Sequence, residues 1–260
     1  MTRAQGRAFD QLRPITIMYD VIDYSAASVL FEQGRTKVLC AITLQNSVPP
    51  FLKGKKTGWL TAEYAMLPTA THSRKERDSN SKPNGRSIEI SRLIGRVLRS
   101  VVELEKLGER TIIIDCDVIQ ADGSTRTACI TAAYLALKLA VMRWIKSGKL
   151  AEHILREDLA SVSIGLSNDN LLLDMDFAED SHIDADFNFV MTRSGKIIEI
   201  QGSAEKYPIT WQNIEKMHTL AFKGINDIFQ CAYSAFESQQ HQHNQPFNSI
   251  RIRPENAPTL

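Results

Sequence analysis

The feature that most constrains this chain is an apolar, strand-like run that a short polar loop joins to a long helix-like run. The strand-like run is TIIIDCDVIQ (Thr111–Gln120), the loop is ADGSTRTA, and the helical pattern is CITAAYLALKLAVMRWI. Gly123 suits a tight turn, and either Ser124 or Thr125 is expected to cap the helix. N–H groups at a helix start attract phosphate, and the planar guanidinium of Arg126 matches phosphate oxygens. The loop is therefore either a capped turn with a surface arginine or an anion-binding site.

A second candidate site lies at the start of another predicted helix. From Ile88 onward apolar residues recur at helical spacing, and this helix is expected to end at Gly108. Arg86 stands just before the helix and follows a glycine, which repeats the arrangement of the first loop. Two such arrangements on one chain can converge on one anion. Three further arginines share one helical face, which is either solvated or paired with acids: Arg92, Arg96 and Arg99.

A long polar segment, ATHSRKERDSNSKPNGRS (Ala70–Ser87), precedes this helix. A loop of this length inside a compact domain is usually functional or disordered. It carries a local basic patch of Arg74, Lys75 and Arg77. Mobile basic loops suit the phosphate backbone of a nucleic acid, whose affinity is largely electrostatic, although a lone charge run is usually just solvated.

The stretch LLLDMDFAEDSHIDADFN (Leu171–Asn188) is crowded with carboxylates. Alternation along a strand is expected to put Asp174 and Asp176 on one face, and Asp184 and Asp186 likewise. Carboxylates repel phosphate unless a cation lies between them, so together with the arginines they suggest a site for Mg²⁺ or Mn²⁺. The alternative is an acidic surface hairpin that serves no ligand.

Composition narrows the class of protein. The chain has 260 residues, 43% of them hydrophobic and 23% charged, with a net charge of +1. This excludes a globally basic nucleic-acid binder but not a local basic surface. Neither a membrane span nor a secretory signal is expected, which favours a cytoplasmic location.

Blocks of strands and helices are partly segregated, which indicates an α+β fold with mixed sheets. The pattern also predicts a short helix over AEHILREDL and a last helix from Thr210 to Phe236.

Several long stretches, in order along the chain, resemble the ribonuclease PH family of bacterial phosphate-dependent 3′ exoribonucleases. They are GRAFDQLRP, VPPFLKG, GWLTAEYAMLP, GRSIEISRLIGR, LGERTIIIDCDVIQADGSTRTA, DFAEDSHIDADFNFVMT and IEIQGSAE. They extend over about residues 6 to 236, which predicts one catalytic domain over residues 1–236 and a polar tail over 237–260. The resemblance implies two strand–helix halves with a left-handed crossover, assembled as a homohexamer that is a trimer of dimers.

The resemblance also implies an activity and roles for the candidate residues. The activity is phosphorolytic 3′-to-5′ trimming of tRNA precursors and other RNA, a reversible tRNA nucleotidyltransferase reaction that consumes inorganic phosphate and releases nucleoside diphosphates. The implied phosphate-binding residues, whose arginines are also catalytic, are Arg86, Ser124, Thr125 and Arg126. The implied catalytic aspartates, which hold Mg²⁺ or Mn²⁺, are Asp180 and Asp186. The implied RNA-binding residues are Arg74, Lys75, Arg77, Arg92 and Arg96.

Three positions depart from the family pattern. Thr69 replaces an arginine in a loop that grips tRNA in the family. Ser124 replaces a glycine, which narrows backbone freedom or adds a hydroxyl donor, and Lys206 replaces another glycine beside the acidic stretch. Two other functions stay open at this point. One is a non-catalytic RNA-binding subunit of a ring, and the other is a metal-dependent hydrolase that uses water and releases nucleoside monophosphates.

Overall fold

Alternating apolar and polar residues form the strands of a first sheet in the computed structural model, which describes residues 3, 6–77 and 84–243. These strands are β1 (Ile15–Tyr19), β2 (Ala27–Gln33), β3 (Thr36–Gln45), β4 (Trp59–Met66) and β5 (Thr111–Gln120). They lie in the order β1-β2-β3-β5-β4, and neighbours are antiparallel except β4 and β5, which run parallel. This sheet is therefore mixed, as predicted.

The parallel pair requires a crossover, which contains the helices α1 (Gly85–Ser100) and α2 (Leu104–Leu107). The sequence predicts a single helix from Ile88 to Gly108, and the structure differs at both ends. Asn84 caps α1 by accepting a hydrogen bond from the N–H of Arg86 at 2.9 Å, so Arg86 belongs to the first helical turn. Gly108, with a φ of 67°, caps α2 instead. Residues 78–83 of the polar segment lie outside the described residues, and the handedness of the crossover stays a prediction.

The second sheet contains β6 (Leu159–Ser167), β7 (Asn170–Leu173), β8 (Ala185–Thr192) and β9 (Ile197–Ala204). Its order is β7-β6-β8-β9, and all neighbours are antiparallel. The short helix predicted over AEHILREDL is wrong, because the backbone there is hydrogen-bonded to the segment between α1 and α2. The N–H of Glu103 donates to the carbonyl of Ile154 at 2.8 Å, and the N–H of Arg156 donates to the carbonyl of Val101 at 2.8 Å.

The helix α3 (Thr125–Lys146) lies between the two sheets. It packs on β2 and β3 on one side and on β6 on the other. By length and composition alone this helix could cross a membrane, contrary to the expectation that no run is long enough. In the folded chain, 72% of the apolar stretch of this helix is buried against other parts of the protein. Its apolar character therefore reflects its place in the core.

The last helix, α5 (Trp211–His243), covers the opposite face of the second sheet. It packs through residues that include Met217, Ala221 and Ile225. The predicted end at Phe236 is wrong, because the helix continues to His243. The side chain of Gln239 donates to the carbonyl of Tyr19 at 2.8 Å and accepts from its N–H at 3.2 Å, which fixes the extra turns to β1. Residues 244–260 of the predicted tail lie outside the described residues.

A buried ion pair joins the N-terminal segment to the acidic stretch. Nη2 and Nε of Arg13 donate to the two carboxylate oxygens of Asp174 at 2.6 and 3.0 Å. Nη1 of Arg13 donates to the backbone carbonyl of Asp122 in the loop after β5. The side chains of the pair are only 5% and 1% exposed. Burial opposes the charge of Arg13, but Asp174 more than compensates and raises the pKa of Arg13.

The acidic stretch is not built from two strand faces, contrary to the prediction for Asp174 and Asp176. β7 ends at Leu173, and Asp174 turns the chain with a φ of 55°. The chain then enters the one-turn helix α4 (Phe177–Asp180). Asp176 caps this turn by accepting from the N–H of Glu179 at 2.8 Å, and Glu179 accepts in return from the N–H of Asp176 at 3.1 Å.

Glu179 and Asp184 also have structural partners. Arg3 and Arg7 donate to Glu179 at 2.8 and 3.0 Å. Burial opposes the charge of Glu179, but the hydrogen bonds from Arg3 and from the N–H of Asp176, together with the charges of Arg3 and Arg7, lower its pKa. Asp184 pairs with Lys206 at 2.8 Å. The stretch is therefore more than a surface hairpin, since most of its carboxylates hold the turn in place.

Replacement of Arg13 by alanine should lower the free energy of unfolding by about 3–5 kcal/mol, because it leaves the buried Asp174 carboxylate without its partner. Urea denaturation followed by circular dichroism measures the change. Lys37→Ala, which breaks a partly exposed pair with Glu32, is the control and should cost at most about 1 kcal/mol. Equal losses in the two variants would contradict the role assigned to Arg13.

Candidate active site

A cleft of about 480 Å³ opens where the loop after β5 meets α4 and β8. The predicted site residues that line it are Lys75, Arg86, Ser124, Thr125, Arg126, Asp180 and Asp186. They come from both halves of the chain, so no single stretch of sequence contains the site.

The loop between β5 and α3 carries two consecutive residues in the left-handed conformation. Gly123 has a φ of 77° and Ser124 a φ of 55°. The expected side-chain cap is wrong, because the Ser124 hydroxyl makes no hydrogen bond to the start of α3. Its Oγ lies 2.6 Å from Oγ of Ser163 and donates to the carbonyl of Met175 at 3.0 Å. The hydroxyl therefore ties the loop to β6 and to the segment before α4.

Gly123 marks a close approach between the two halves. A Cβ built at this position would lie 2.5 Å from the carbonyl oxygen of Met175 and 2.7 Å from the carbonyl carbon of Asp176. A side chain here would meet rigid backbone as well as an unfavourable φ. The loop can reach its position beside α4 because residue 123 is glycine.

The first turn of α3 presents N–H groups and a hydroxyl to the cleft. The helical ladder begins with the N–H of Ala128, which donates to the carbonyl of Ser124 at 3.0 Å. The N–H groups before it have no partner earlier in the helix and suit an anion. The Tyr64 hydroxyl donates to Oγ1 of Thr125 at 3.2 Å, and burial raises the pKa of Tyr64, which keeps it protonated. The hydroxyl proton of Thr125 is thereby available to a ligand.

Two arginines stand at the N-terminal ends of two helices that meet at the cleft. Nη1 of Arg126 donates to Oε1 of Gln201 at 2.6 Å and to Oε1 of Glu89 at 3.1 Å. These contacts orient a guanidinium whose side chain is 16% exposed. Arg86 is exposed on the first turn of α1. Both charges therefore act on the same small volume.

Asp180 and Asp186 are the carboxylates of the cleft. Burial, and then repulsion from Asp180, raise the pKa of Asp186 to about 6, against the attraction of Arg126 and Arg86. Burial is also the main reason why the pKa of Asp180 is raised. Two negative groups are thus held together beside arginines that offset their repulsion only in part. A cation bound between them would relieve it.

The structure brings one predicted RNA-binding residue into the cleft and leaves the others outside. Lys75 lines the cleft, whereas Arg74 and Arg77 are exposed on the same loop outside the lining. Two more lie further along α1, also outside the lining: Arg92 and Arg96. Arg96 forms an ion pair with Glu199 on β9. The RNA-binding roles of these residues stay predictions.

Sequence reasoning missed part of the lining. Asn188 lies two residues after Asp186 on β8 and shares its face, which the alternation along a strand could have indicated. Ser163 enters the cleft through strand register, because it pairs with Asn188 between β6 and β8. His72 and Phe177 add aromatic rings to the cleft. Nothing in the sequence distinguishes these two from ordinary loop residues.

Paired arginines, the start of a long helix and paired carboxylates in one cleft define a class of protein that binds phosphate and acts on phosphate esters. Comparison with known proteins narrows this class. The model of the 3′ exoribonuclease family, domain 1, matches residues 11–143, and that of domain 2 matches residues 159–224.

Curated relatives extend the match over most of the chain. Ribonuclease PH of Neisseria meningitidis serogroup C is 52% identical over 234 residues, which cover 90% of this chain and 97% of that protein. Ribonuclease PH of Bacillus subtilis is 48% identical over 228 residues, which cover 87% and 93%. This chain therefore belongs to the 3′ exoribonuclease family and, within it, to the ribonuclease PH group.

Solved structures share the fold at much lower identity. Rice Rrp46 superposes with a TM-score of 0.72 at 18% identity, over 89% of this chain and 98% of that chain. The Archaeoglobus fulgidus exosome with RNA bound to the active site gives 0.71 at 21% identity, over 88% and 91%. The predicted α+β class is confirmed, with one mixed sheet and one antiparallel sheet.

Gly123→Ala and Gly54→Ala form a matched pair, because both glycines have a φ of 77° and nothing lies within 4 Å of a Cβ at Gly54. Gly54→Ala should cost about 1–2 kcal/mol of unfolding free energy, from the left-handed backbone alone. Gly123→Ala should cost roughly 1–3 kcal/mol more, because its methyl group meets the backbone of Met175 and Asp176. Urea denaturation of both variants measures the difference. Equal costs would show that the loop and α4 are not in close contact.

Proposed function

We propose that this chain is a phosphorolytic exoribonuclease that shortens RNA from its 3′ end, with tRNA precursors among its substrates. The observation that carries the proposal is a single cleft lined by Arg86, Thr125 and Arg126 together with Asp180 and Asp186. Family membership supplies the substrate class, RNA with a 3′ end. The reaction exchanges a phosphodiester for a phosphoanhydride, so it is expected to be readily reversible and to run also as nucleotidyl transfer.

Inorganic phosphate is the co-substrate and the nucleophile. Arg86, Arg126, the Thr125 hydroxyl and the first N–H groups of α3 bind it and hold it in line with the scissile bond. The arginines offset the repulsion between two anions, which is the main obstacle to their encounter. Phosphate needs no activation by a serine or cysteine. Ser124 instead holds the loop, because its hydroxyl is engaged with Ser163 and Met175.

The bond changes follow from this placement. An oxygen of the bound phosphate attacks the phosphorus of the last phosphodiester. The bond from that phosphorus to the 3′ oxygen of the penultimate ribose breaks. The terminal nucleotide leaves as a nucleoside 5′-diphosphate. The 3′ oxygen takes up the proton that the attacking hydrogen phosphate gives up, so the shortened RNA ends in a 3′ hydroxyl for the next cycle.

Asp180 and Asp186 fit a divalent cation, Mg²⁺ or Mn²⁺. Burial in the cleft and then the nearby charge of Asp180 raise the pKa of Asp186, and a cation would stabilise the ionised form. Among the described residues no group of three or more His, Cys, Asp or Glu could hold a metal ion. Two carboxylates with water and phosphate oxygens are the usual shell of Mg²⁺. Such a cation would neutralise charge on the leaving 3′ oxygen.

We also propose a path for RNA and an assembly. The basic loop with Arg74, Lys75 and Arg77 guides the RNA backbone toward the cleft, and Arg92 and Arg96 extend this basic surface along α1. The chain assembles as a homohexamer, a trimer of dimers. Two large apolar side chains stay exposed on α5, Trp211 and Tyr233, and they support subunit contacts that would cover them.

Incubation of the purified protein with 3′-extended tRNA and Mg²⁺ should release nucleoside diphosphates only when inorganic phosphate is present. Arg126→Ala and Arg86→Ala should each raise the KM for phosphate roughly ten- to a hundredfold, as expected for a lost charged hydrogen bond of about 1.5–3 kcal/mol. Arg143→Ala, which breaks a pair with Asp20 near the other end of α3, is the matched control.

Identification of the released nucleotides by mass spectrometry separates the alternatives. Monophosphates that appear regardless of phosphate would indicate a hydrolase. RNA binding without release would indicate a non-catalytic subunit. Unchanged phosphate kinetics in both arginine variants would remove these residues from the phosphate site.

Metal binding should be detectable without turnover, through the titration of Asp186. In the metal-free protein its pKa lies at about 6, and Mg²⁺ should lower this pKa because a cation stabilises the ionised form. Metal affinity should therefore fall as the pH drops through about 6 and the carboxyl takes up a proton. Carbon-13 NMR of labelled aspartate, with Asp186→Asn for assignment, measures the shift. Asp184, whose pKa Lys206 lowers, is the internal control. A pKa of Asp186 that does not change when Mg²⁺ is added would contradict the metal site.

A further inference from the structure

The cleft carries an aromatic ring that binding of phosphate or metal does not use. Phe177, the first residue of α4, lines the cleft, yet 55% of its surface is exposed. We propose that Phe177, together with His72, is the stacking surface for the base of the 3′-terminal nucleotide, an inference that rests on the proposed function. The ligand is any of the RNA bases, recognised by its aromatic face.

The turn that carries Phe177 is firmly held. Asp176 and Glu179 exchange hydrogen bonds around it, and Arg3 and Arg7 hold Glu179 from below. Glu179 is 4% exposed, in contrast to the ring of Phe177 on the same turn. The exposure of Phe177 is therefore a property of a fixed turn and does not come from a loose end of chain. A rigid, uncovered ring beside a substrate cleft is preorganised for stacking.

His72 supplies a second ring from the other half of the chain. It lies in the loop after β4, and its ring centroid is 6.0 Å from that of Phe177, with the ring planes 51° apart. Because the rings are tilted, they do not cover each other's faces. A planar base can lie against the face of Phe177 and meet His72 at its edge.

The position of Phe177 matches the position of the leaving nucleotide. Phe177 and Asp180 are the first and last residues of α4, three apart, and therefore lie on the same side of this turn. In the proposed reaction Asp180 is close to the phosphodiester that breaks. The nucleotide on the 3′ side of that bond departs. The distance from its phosphorus to its base is shorter than the length of one nucleotide. The ring of Phe177 is therefore within reach of the terminal base.

Stacking suits an enzyme that removes nucleotides one after another. Every base has an aromatic face, so stacking holds all of them, whereas hydrogen bonds to base edges select among them. The polar groups Arg86, Thr125 and Arg126 are committed to phosphate. An aromatic contact holds the terminal nucleotide in line for attack and accepts whichever base comes next.

The test compares two RNAs that differ only at the 3′-terminal residue, which is adenosine in one and an abasic ribose in the other. Phe177→Ala should lower kcat/KM roughly five- to a hundredfold for the RNA that ends in adenosine, the range expected for one stacked base. It should have little effect on the abasic RNA and should leave the KM for phosphate unchanged. Phe177→Tyr keeps the ring and should retain the wild-type kinetics.

Tyr24→Ala is the matched control. It removes a fully exposed ring close to Ala26, whose carbonyl accepts from Arg143 near the other end of α3. This variant should behave as wild type with both RNAs. A loss in Tyr24→Ala as large and as base-dependent as in Phe177→Ala would overturn the assignment.

A second readout does not require turnover. RNA with 2-aminopurine as its 3′-terminal base loses fluorescence when that base stacks on an aromatic ring. Binding to the wild-type protein should quench the signal. Phe177→Ala should quench it less at the same bound fraction, measured by anisotropy, and His72→Ala should show a smaller loss of quenching.

The outcomes separate this inference from the proposed function. Equal losses on both RNAs, or unchanged quenching in Phe177→Ala, would overturn the stacking surface while phosphate-dependent release in the wild type upholds the function. Quenching that depends on Phe177, in a protein that releases no diphosphate, would support the stacking surface and overturn the function.

Discussion

The buried ion pair between Arg13 and Asp174 is the contact on which the rest of this structure depends. One guanidinium contacts both carboxylate oxygens of Asp174 and the backbone carbonyl of Asp122. Its stem lies against Gly34, where an added Cβ would come within 2.6 Å of Cδ of Arg13. Separate regions of the chain thus meet at one side chain, and the cleft opens beside it. A buried pair adds little net stability, so its main effect here is to fix positions.

The carboxylates that follow β7 fall into two groups according to their partners. Asp174 and Glu179 are buried against arginines, and Asp184 is paired with a lysine. Asp180 and Asp186 share one cleft, and for both of them burial outweighs the attraction of nearby arginines. This imbalance raises their pKa values. The paired acids Asp174 and Glu179 hold the turn that positions Asp180.

Two of the three departures from the family pattern have local explanations, and nothing in the structure explains Thr69. Ser124 stands where glycine is usual, and its φ of 55° is costly for a serine. Its hydroxyl is hydrogen-bonded to the hydroxyl of Ser163 and to the carbonyl of Met175. These bonds offset that cost and attach the loop to the second half of the chain. The added charge of Lys206 is paired with Asp184. Neither change removes a polar group from the cleft.

The sequence by itself determined the α+β class, the strand–loop–helix unit around Gly123 and the stretches that carry the family resemblance, because periodicity and motifs are properties of neighbouring residues. It misplaced the start of α1, where the local cap Asn84 begins the helix earlier, and the end of α5, which hydrogen bonds between Gln239 and the distant Tyr19 hold. The family resemblance already singled out Asp180 and Asp186, but only the tertiary structure decided that Ser163 and Phe177 line the same cleft. Burial, strand register and charge partners come from residues far apart in the chain, and they are defined only once the two sheets have packed around α3.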